Sequence, residues 1–501
     1  MAIPRPMRHG GGVKKSLLGN FGVNVASAML PIAIQLVTVP LYLHLIGQAR
    51  YGLLSIVWLL LGYFGFLDLG LSRAAANALA RLPIHATTER ARVLATTCLL
   101  NLGLGCVGGV ILYFGGTLIL TRLLKLPVEL VPEVDALSGW IAGLLPLAFL
   151  SGVGVGALEA RERFVVANIV QVGGQALGQL LPLAAVYALG PSLAVVVPIA
   201  ALVRGATALV TLLLAARQEH VFTHLAFDRA KARALLGYGG WVSLSGLLSP
   251  LIWSVDQVMI GAIQGVARVA AFAVPMNLVQ RTQVIGAALA RTLFPRLSSA
   301  SEAEAEAAQR SAILALGHCF GMVCFGGILL LRPFLELWVG RGMADQAAPI
   351  GEILFFGIWI NSVASVSLTY LLARGMPRLL VKLQLIELLP CVAMFWAMTH
   401  FFGVVGAAVA FSIRCLLDAA LIMAAARIRL RDAWQLAGPA LVLLAGAMVS
   451  LGVMPGLIAR IAIGAAIGAV WLWLCWWKLP ELREPVMQRL RRPPHHVDGV
   501  M

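Results

Sequence analysis

Apolar runs of 18 or more residues recur from one end of this 501-residue chain to the other. Each is long enough to cross about 30 Å of hydrocarbon as a helix. A membrane-crossing strand would need only about 9–11 residues of alternating polarity, so length alone argues against strands. A helix also satisfies every backbone group within its own segment, which lipid cannot do. Only 12% of the residues are charged and the mean hydropathy is +0.90, whereas a soluble domain carries about a quarter charged residues. Such a chain could not cover its own surface in water. The sequence therefore predicts an all-α integral membrane protein.

Fourteen spans are expected: 16–46, 51–71, 93–121, 137–157, 165–189, 192–215, 236–262, 269–290, 311–338, 350–372, 379–400, 404–426, 435–453 and 456–477. The apolar stretch after Lys14 and Lys15 continues to about Ile46. It outruns the core of a cleaved signal, so it reads as the first span. With the N-terminus cytoplasmic, 28 of the 38 Lys and Arg residues fall on the cytoplasmic side, 7 in outside turns (Arg50, Arg122, Lys125, Arg268, Arg332, Arg341 and Arg460) and 3 within spans (Arg204, Arg281 and Arg414). That excess follows the positive-inside rule and places both termini in the cytoplasm. The net charge of +16 is dispersed between apolar segments, so it reports orientation and implies no nucleic-acid partner. All seven cysteines sit in apolar segments, without metal-pair spacing, and no cofactor is expected. Ser298 to Gln309 reads as a short surface helix ahead of span nine.

An internal repeat emerges at a separation of 218 residues. Gly47, Ala49 and Arg50 meet Gly265, Ala267 and Arg268; Leu60, Leu71 and Arg73 meet Leu278, Leu289 and Arg291. Pro31 and Pro250 shadow each other one residue out of register. Six spans per copy is an even number, so the copies are parallel, as in transporters that hold substrate between two halves. The expected organisation is a cytoplasmic tail 1–15, an N-lobe 16–217, a linker 218–235, a C-lobe 236–426, helices thirteen and fourteen within 427–478, and a cytoplasmic tail 479–501. Pro31 and Pro250 are candidate hinges, and a fixed kink is the plainer reading of each.

The stretch Arg50 to Leu82, RYGLLSIVWLLLGYFGFLDLGLSRAAANALARL, resembles the second-helix signature of Wzx-type bacterial polysaccharide flippases. These belong to the multidrug/oligosaccharidyl-lipid/polysaccharide exporter superfamily. GALEARERF (156–164), DQVMIG (256–261), ELWVGR (336–341), ARGMPR (373–378) and GVVGAAVA (403–410) follow in the order such proteins show. The resemblance implies two six-helix lobes plus two C-terminal helices in a bacterial inner membrane. It also implies a polyprenyl-diphosphate-linked oligosaccharide as cargo for O-antigen or exopolysaccharide synthesis, and a polysaccharide polymerase and chain-length regulator as candidate partners beside membrane lipid. A multidrug exporter of the same superfamily is the alternative. A membrane polymerase or ligase is a further one, disfavoured by the short outside turns.

Charges within spans are costly, by roughly 2.5–3.5 kcal/mol at mid-bilayer, and so mark function. Arg281 and Arg204 are candidate anion-binding residues, since a guanidinium meets phosphate with two parallel hydrogen bonds. Arg73 and Arg291 are placed to receive a headgroup near the cytoplasmic face, with positive-inside anchoring as the plainer reading. Asn24, Gln35 and Gln257 could meet sugar hydroxyls or tie helices together. Asp256, Glu387 and Asp418 are candidates for a coupling proton or sodium ion. Arg281 could instead pair with Asp256, and Arg414 with Asp418 four residues on. Trp471, Trp473, Trp476 and Trp477 read as an interfacial belt.

Overall fold

The computed structural model describes residues 12–64, 68, 70–83, 85–219, 228–229, 232, 255–452 and 456–478, with side chains outside the described set at 12–28, 63–64, 291, 377, 452 and 474–478. The described residues are helical almost throughout, without a strand. Nine of the described stretches are long and apolar enough to cross a membrane. Together with the hydropathy this makes the chain a multi-pass membrane protein.

Helix α1 (Gly12–Phe64) runs through Pro31 and Pro40 and breaks its helical dihedrals at Gly47. It thus carries the first expected span and most of the second. Then follow α2 (Leu71–Arg81), α3 (Thr87–Ile111), α4 (Val131–Glu159), α5 (Phe164–Leu189) and α6 (Leu193–Gln218). After the segment outside the described residues come α7 (residues 255–263), α8 (Val266–Arg281), α9 (Val284–Ser299), α10 (Glu302–Val339), α11 (Arg341–Ala373) and α12 (Pro377–Ala425). Gly403 divides α12 as Gly47 divides α1. A five-residue α13 (Leu430–Trp434) precedes α14 (Ala437–Gly452) and α15 (Leu457–Lys478). The chain forms two compact units, Met1–Ala270 and Ala271–Met501.

The repeat is visible in the backbone of each unit. Gly47 and Gly265 share positive φ, 79° and 90°, at the turns that the sequence match aligns. In the later part the offset becomes 213 residues, and it holds for Gly190 with Gly403 and for Glu162 with Gly375, all with positive φ. It also holds for Arg161 with Arg374, and for the starts of α5 and α12.

Three expectations about the spans need correction. Span two reaches its expected end at a break at Gly70, whose left-handed conformation precedes α2. Asp68 caps the new helix, accepting from the Ser72 hydroxyl at 2.8 Å and from its N–H at 3.4 Å. Span eight is interrupted between α8 and α9 at Thr282–Gln283. Arg73 and Arg291 therefore sit on the helices beyond the two breaks. The Ser298–Gln309 segment is no separate helix, because a capping box of Ser301 and Glu304 starts α10, which continues to Val339. Arg460 lies in α15 and not in a turn. Its guanidinium is buried, donating to the Leu329 carbonyl at 2.9 Å and to Ser450 at 2.7 Å. Ser450 in turn donates to buried Glu352 at 2.7 Å. This relay fastens α14 and α15 to α10 and α11, where apolar contact alone gives little drive in lipid.

Candidate functional site

In the first unit the polar groups gather at one depth. Trp58 follows the Gly47 turn by 11 residues, Arg204 follows Leu193 by 11, and Gln179 precedes Gly190 by 11. At 1.5 Å rise each lies about 16 Å from its helix end, close to the middle of a 30 Å core. Thr38 donates to the Gln179 side chain and Tyr42 to its carbonyl, both at 2.9 Å, tying α1 to α5. The Arg204 guanidinium lies 4.6 Å from the centre of the Trp58 ring. Arg204 is exposed on the unit's surface and meets no carboxylate or hydrogen-bond acceptor among the described residues. A cation–π contact is worth about 0.5–2 kcal/mol, less than the roughly 2.5–3.5 kcal/mol cost of a mid-bilayer arginine.

The other sequence candidates are dispersed. Asp256 is buried in α7 and accepts the Gln257 N–H at 2.6 Å. Gln35 is half-buried on α1, and Gln257 half-buried on α7. Arg281 is exposed at the last turn of α8, just before the break, not inside a continuous span. Arg73 is exposed on α2. The side chains of Asn24 and Arg291, and all of Pro250, lie outside the described residues. Pro31 sits in unbroken helix.

In the second unit, Glu387 and Asp418 come together from the two halves of α12. They lie in electrostatic range of each other and of Arg414. The Cys391 thiol donates to Glu387 at 3.5 Å. The expected Arg414–Asp418 pairing is thus part of a three-residue cluster. No group of three or more His, Cys, Asp or Glu side chains suited to a metal ion occurs among the described residues.

Arg90 and Glu219 escaped the sequence reading. Buried Arg90 donates to Glu219 at 2.6 and 2.7 Å, and Arg161 donates to the same carboxylate at 2.9 Å from two nitrogens. Arg90 also donates to the carbonyls of Leu79 and Leu82, where α2 ends. One carboxylate thereby holds α2, α3, the α4–α5 turn and α6. Burial alone would raise the Glu219 pKa, but the hydrogen bonds from Arg90 and Arg161 outweigh it and hold it below the ordinary value. The signal was Arg161 in GALEARERF; its partner is 58 residues away. Trp471 packs against Phe325 at 6.1 Å and is buried, so it is no belt residue, whereas Trp473 is exposed. His318 is buried, with Nδ1 2.9 Å from the Leu314 carbonyl of its own helix, as a structural histidine should be.

A family model described as polysaccharide biosynthesis protein matches residues 17–301, more than half of the chain. The chain belongs to the polysaccharide biosynthesis protein family. A Shigella flexneri relative named "Putative O-antigen transporter" is 25% identical over 415 residues, 81% of this chain and 97% of its own. In fold, this family member is similar to a lipid II flippase, MurJ, in an inward closed conformation, with a TM-score of 0.71 and 11% identity, covering 92% of this chain and 99% of that one. It is also similar to an inward-facing multidrug resistance MATE transporter of the MOP superfamily, with a TM-score of 0.66 and 17% identity over 81% and 98% of the two chains. The resemblance read from the Arg50–Leu82 stretch and the later motifs is borne out in family and fold.

Proposed function

We propose that the protein is a flippase that carries polyprenyl-diphosphate-linked oligosaccharide from the cytoplasmic to the outer leaflet of a bacterial inner membrane. The observation that carries this reading is Arg204, a mid-membrane guanidinium whose described partner is one aromatic ring. It can take a phosphate bidentately while the Trp58 ring supports its other face. Arg73 in the first unit, and Arg281 and Arg291 in the second, are candidates to receive the headgroup at the cation-rich end of their own unit, which faces the cytoplasm. Gln35, Gln257 and Asn24 offer hydrogen bonds to sugar hydroxyls. Pro31 and Pro250 stay candidate hinges, now alongside the break between α8 and α9. The two repeat copies alternate access, and the Glu387–Asp418 pair is the best placed of the acidic candidates to take up the coupling proton or sodium ion. Asp256 is the alternative.

The support is the family, the described transport role of the Shigella relative and the lone arginine. A multidrug exporter would place acidic groups in the cargo site of the first unit, where Arg204 stands instead. The relatives are described as transporters, which also sets aside the polymerase or ligase reading. The test is transport of lipid-linked oligosaccharide by Arg204→Ala and Arg204→Lys at normal abundance. Loss in the first and an intermediate rate in the second are expected. Full transport by Arg204→Ala removes Arg204 from the mechanism.

A further inference from the structure

The loop between α3 and α4 is the longest connection at the cation-poor end, and the proposed function has not yet used it. The chain reaches it through two widened turns, Leu112–Gly116 and Ile119–Leu123, with hydrogen bonds spanning five residues. Such turns are uncommon and frequently occur at functional sites. Beyond them the chain meets the end of α7. The Lys125 N–H donates to the Gly261 carbonyl at 3.0 Å, and the Lys125 ammonium donates to the Ile263 carbonyl at 2.7 Å. These carbonyls belong to a last helical turn, which lacks donors of its own and favours a cation. Leu124 and Ile56 both close over Gly261. Nearby, a Cβ at Gly52 would overlap the Val266 carbonyl oxygen, so helix 48–64 and α8 touch backbone to backbone. Helix 48–64 opens span two and α8 opens span eight, the repeat-related pair.

We propose that Leu124 and Lys125 form a latch that holds helix 48–64, α7 and α8 together at the cation-poor end, and that cargo leaves there only when the latch releases. The inference rests on the flippase reading. The contact is small: two hydrogen bonds to carbonyl oxygens and one leucine over a glycine. It is made without an ion pair, so the carbonyls can exchange Lys125 for water. The two widened turns allow the end of α3 to withdraw while the rest of the helix stays seated.

The Lys125 Cβ lies 4.0 Å from a Cβ built at Gly265, within the roughly 3.5–4.5 Å that a disulfide spans. Gly265 has positive φ, so Gly265→Ala serves as the control for strain at the turn; where that control transports, the double variant Lys125→Cys, Gly265→Cys should cross-link in the full-length protein in membranes. Oxidation should abolish transport, reductant should restore it, and neither single variant should respond. Complete cross-linking with unchanged transport overturns the latch, as does failure of the folded double variant to cross-link. A second measurement involves no cargo. Ile56 is fully buried beneath the contact, so Ile56→Cys should react slowly with a membrane-impermeant maleimide added outside. Adding Lys125→Ala removes one charge-assisted hydrogen bond and should speed labelling roughly tenfold. Equal labelling with and without Lys125 also overturns the proposal. A protein that shows this labelling shift yet moves no lipid-linked oligosaccharide keeps the latch and loses the flippase reading.

Discussion

Replacing Glu219 by glutamine should destabilise the first unit more than any other single polar change in it. The carboxylate is 0% exposed and Arg90 is 1% exposed, so neither can turn to water when the other is lost. Removing one partner of a buried ion pair costs about 3–5 kcal/mol, chiefly because it strands the opposite charge. Arg161 is the more accessible of the two arginines, with 16% of its side chain exposed. Arg161→Ala should therefore cost less, about 1–3 kcal/mol for a hydrogen-bonded charge. Thermal unfolding of the detergent-solubilised variants, followed by loss of the monodisperse peak, measures the order. Because the folded Glu219 pKa is depressed, its proton-linked stabilisation is present above the ordinary glutamate value of about 4.3 and is lost as pH falls through the lower folded value. Glu219→Gln should lack that acid-side loss. A melting temperature within a degree of the parent, with the same pH profile, would refute the claim that this cluster holds the unit together.

Other expectations follow from the same contacts. Gly52→Val forces a side chain into the Val266 backbone and should cost about 1–3 kcal/mol of overpacking at closure; transport should fall although the protein reaches the membrane, and normal transport would show that the two helices need not touch. Asp418→Asn or Glu387→Gln should flatten the dependence of transport on a proton or sodium gradient, measured in proteoliposomes; an unchanged dependence shifts the coupling role to Asp256. Ser450→Ala removes the link between Arg460 and Glu352 and should lower stability by about 1–3 kcal/mol, read as a lower unfolding temperature with α14 and α15 more readily proteolysed.

The helical membrane fold was legible because hydropathy runs report on solvent, and lipid accepts only segments that satisfy their own backbone. The repeat was legible at Gly47 and Gly265 because both turns need positive φ, which favours one residue type. The interruption of span eight was read as span interior, although Gln280, Arg281, Thr282 and Gln283 stand together there. Asp68 with Ser72 was the available sign of the helix start after Gly70. Arg460 was misplaced because it stands close to the Pro455–Gly456 turn in sequence, whereas α15 has already carried it inward. Arg90 and Glu219 are 129 residues apart, a separation that periodicity cannot register. Of the candidate arginines, Arg204 is the one placed by the structure at mid-depth with an aromatic partner, which its sequence neighbours, all small or apolar, did not announce.

The central claim is movement of a lipid-linked oligosaccharide between leaflets. Its most direct test is the leaflet distribution of such lipids in cells depleted of this protein, with any parallel flippase removed. The account predicts accumulation on the cytoplasmic side, reversed by restoring the protein and not by restoring Arg204→Ala. A normal distribution in the depleted cells would contradict it.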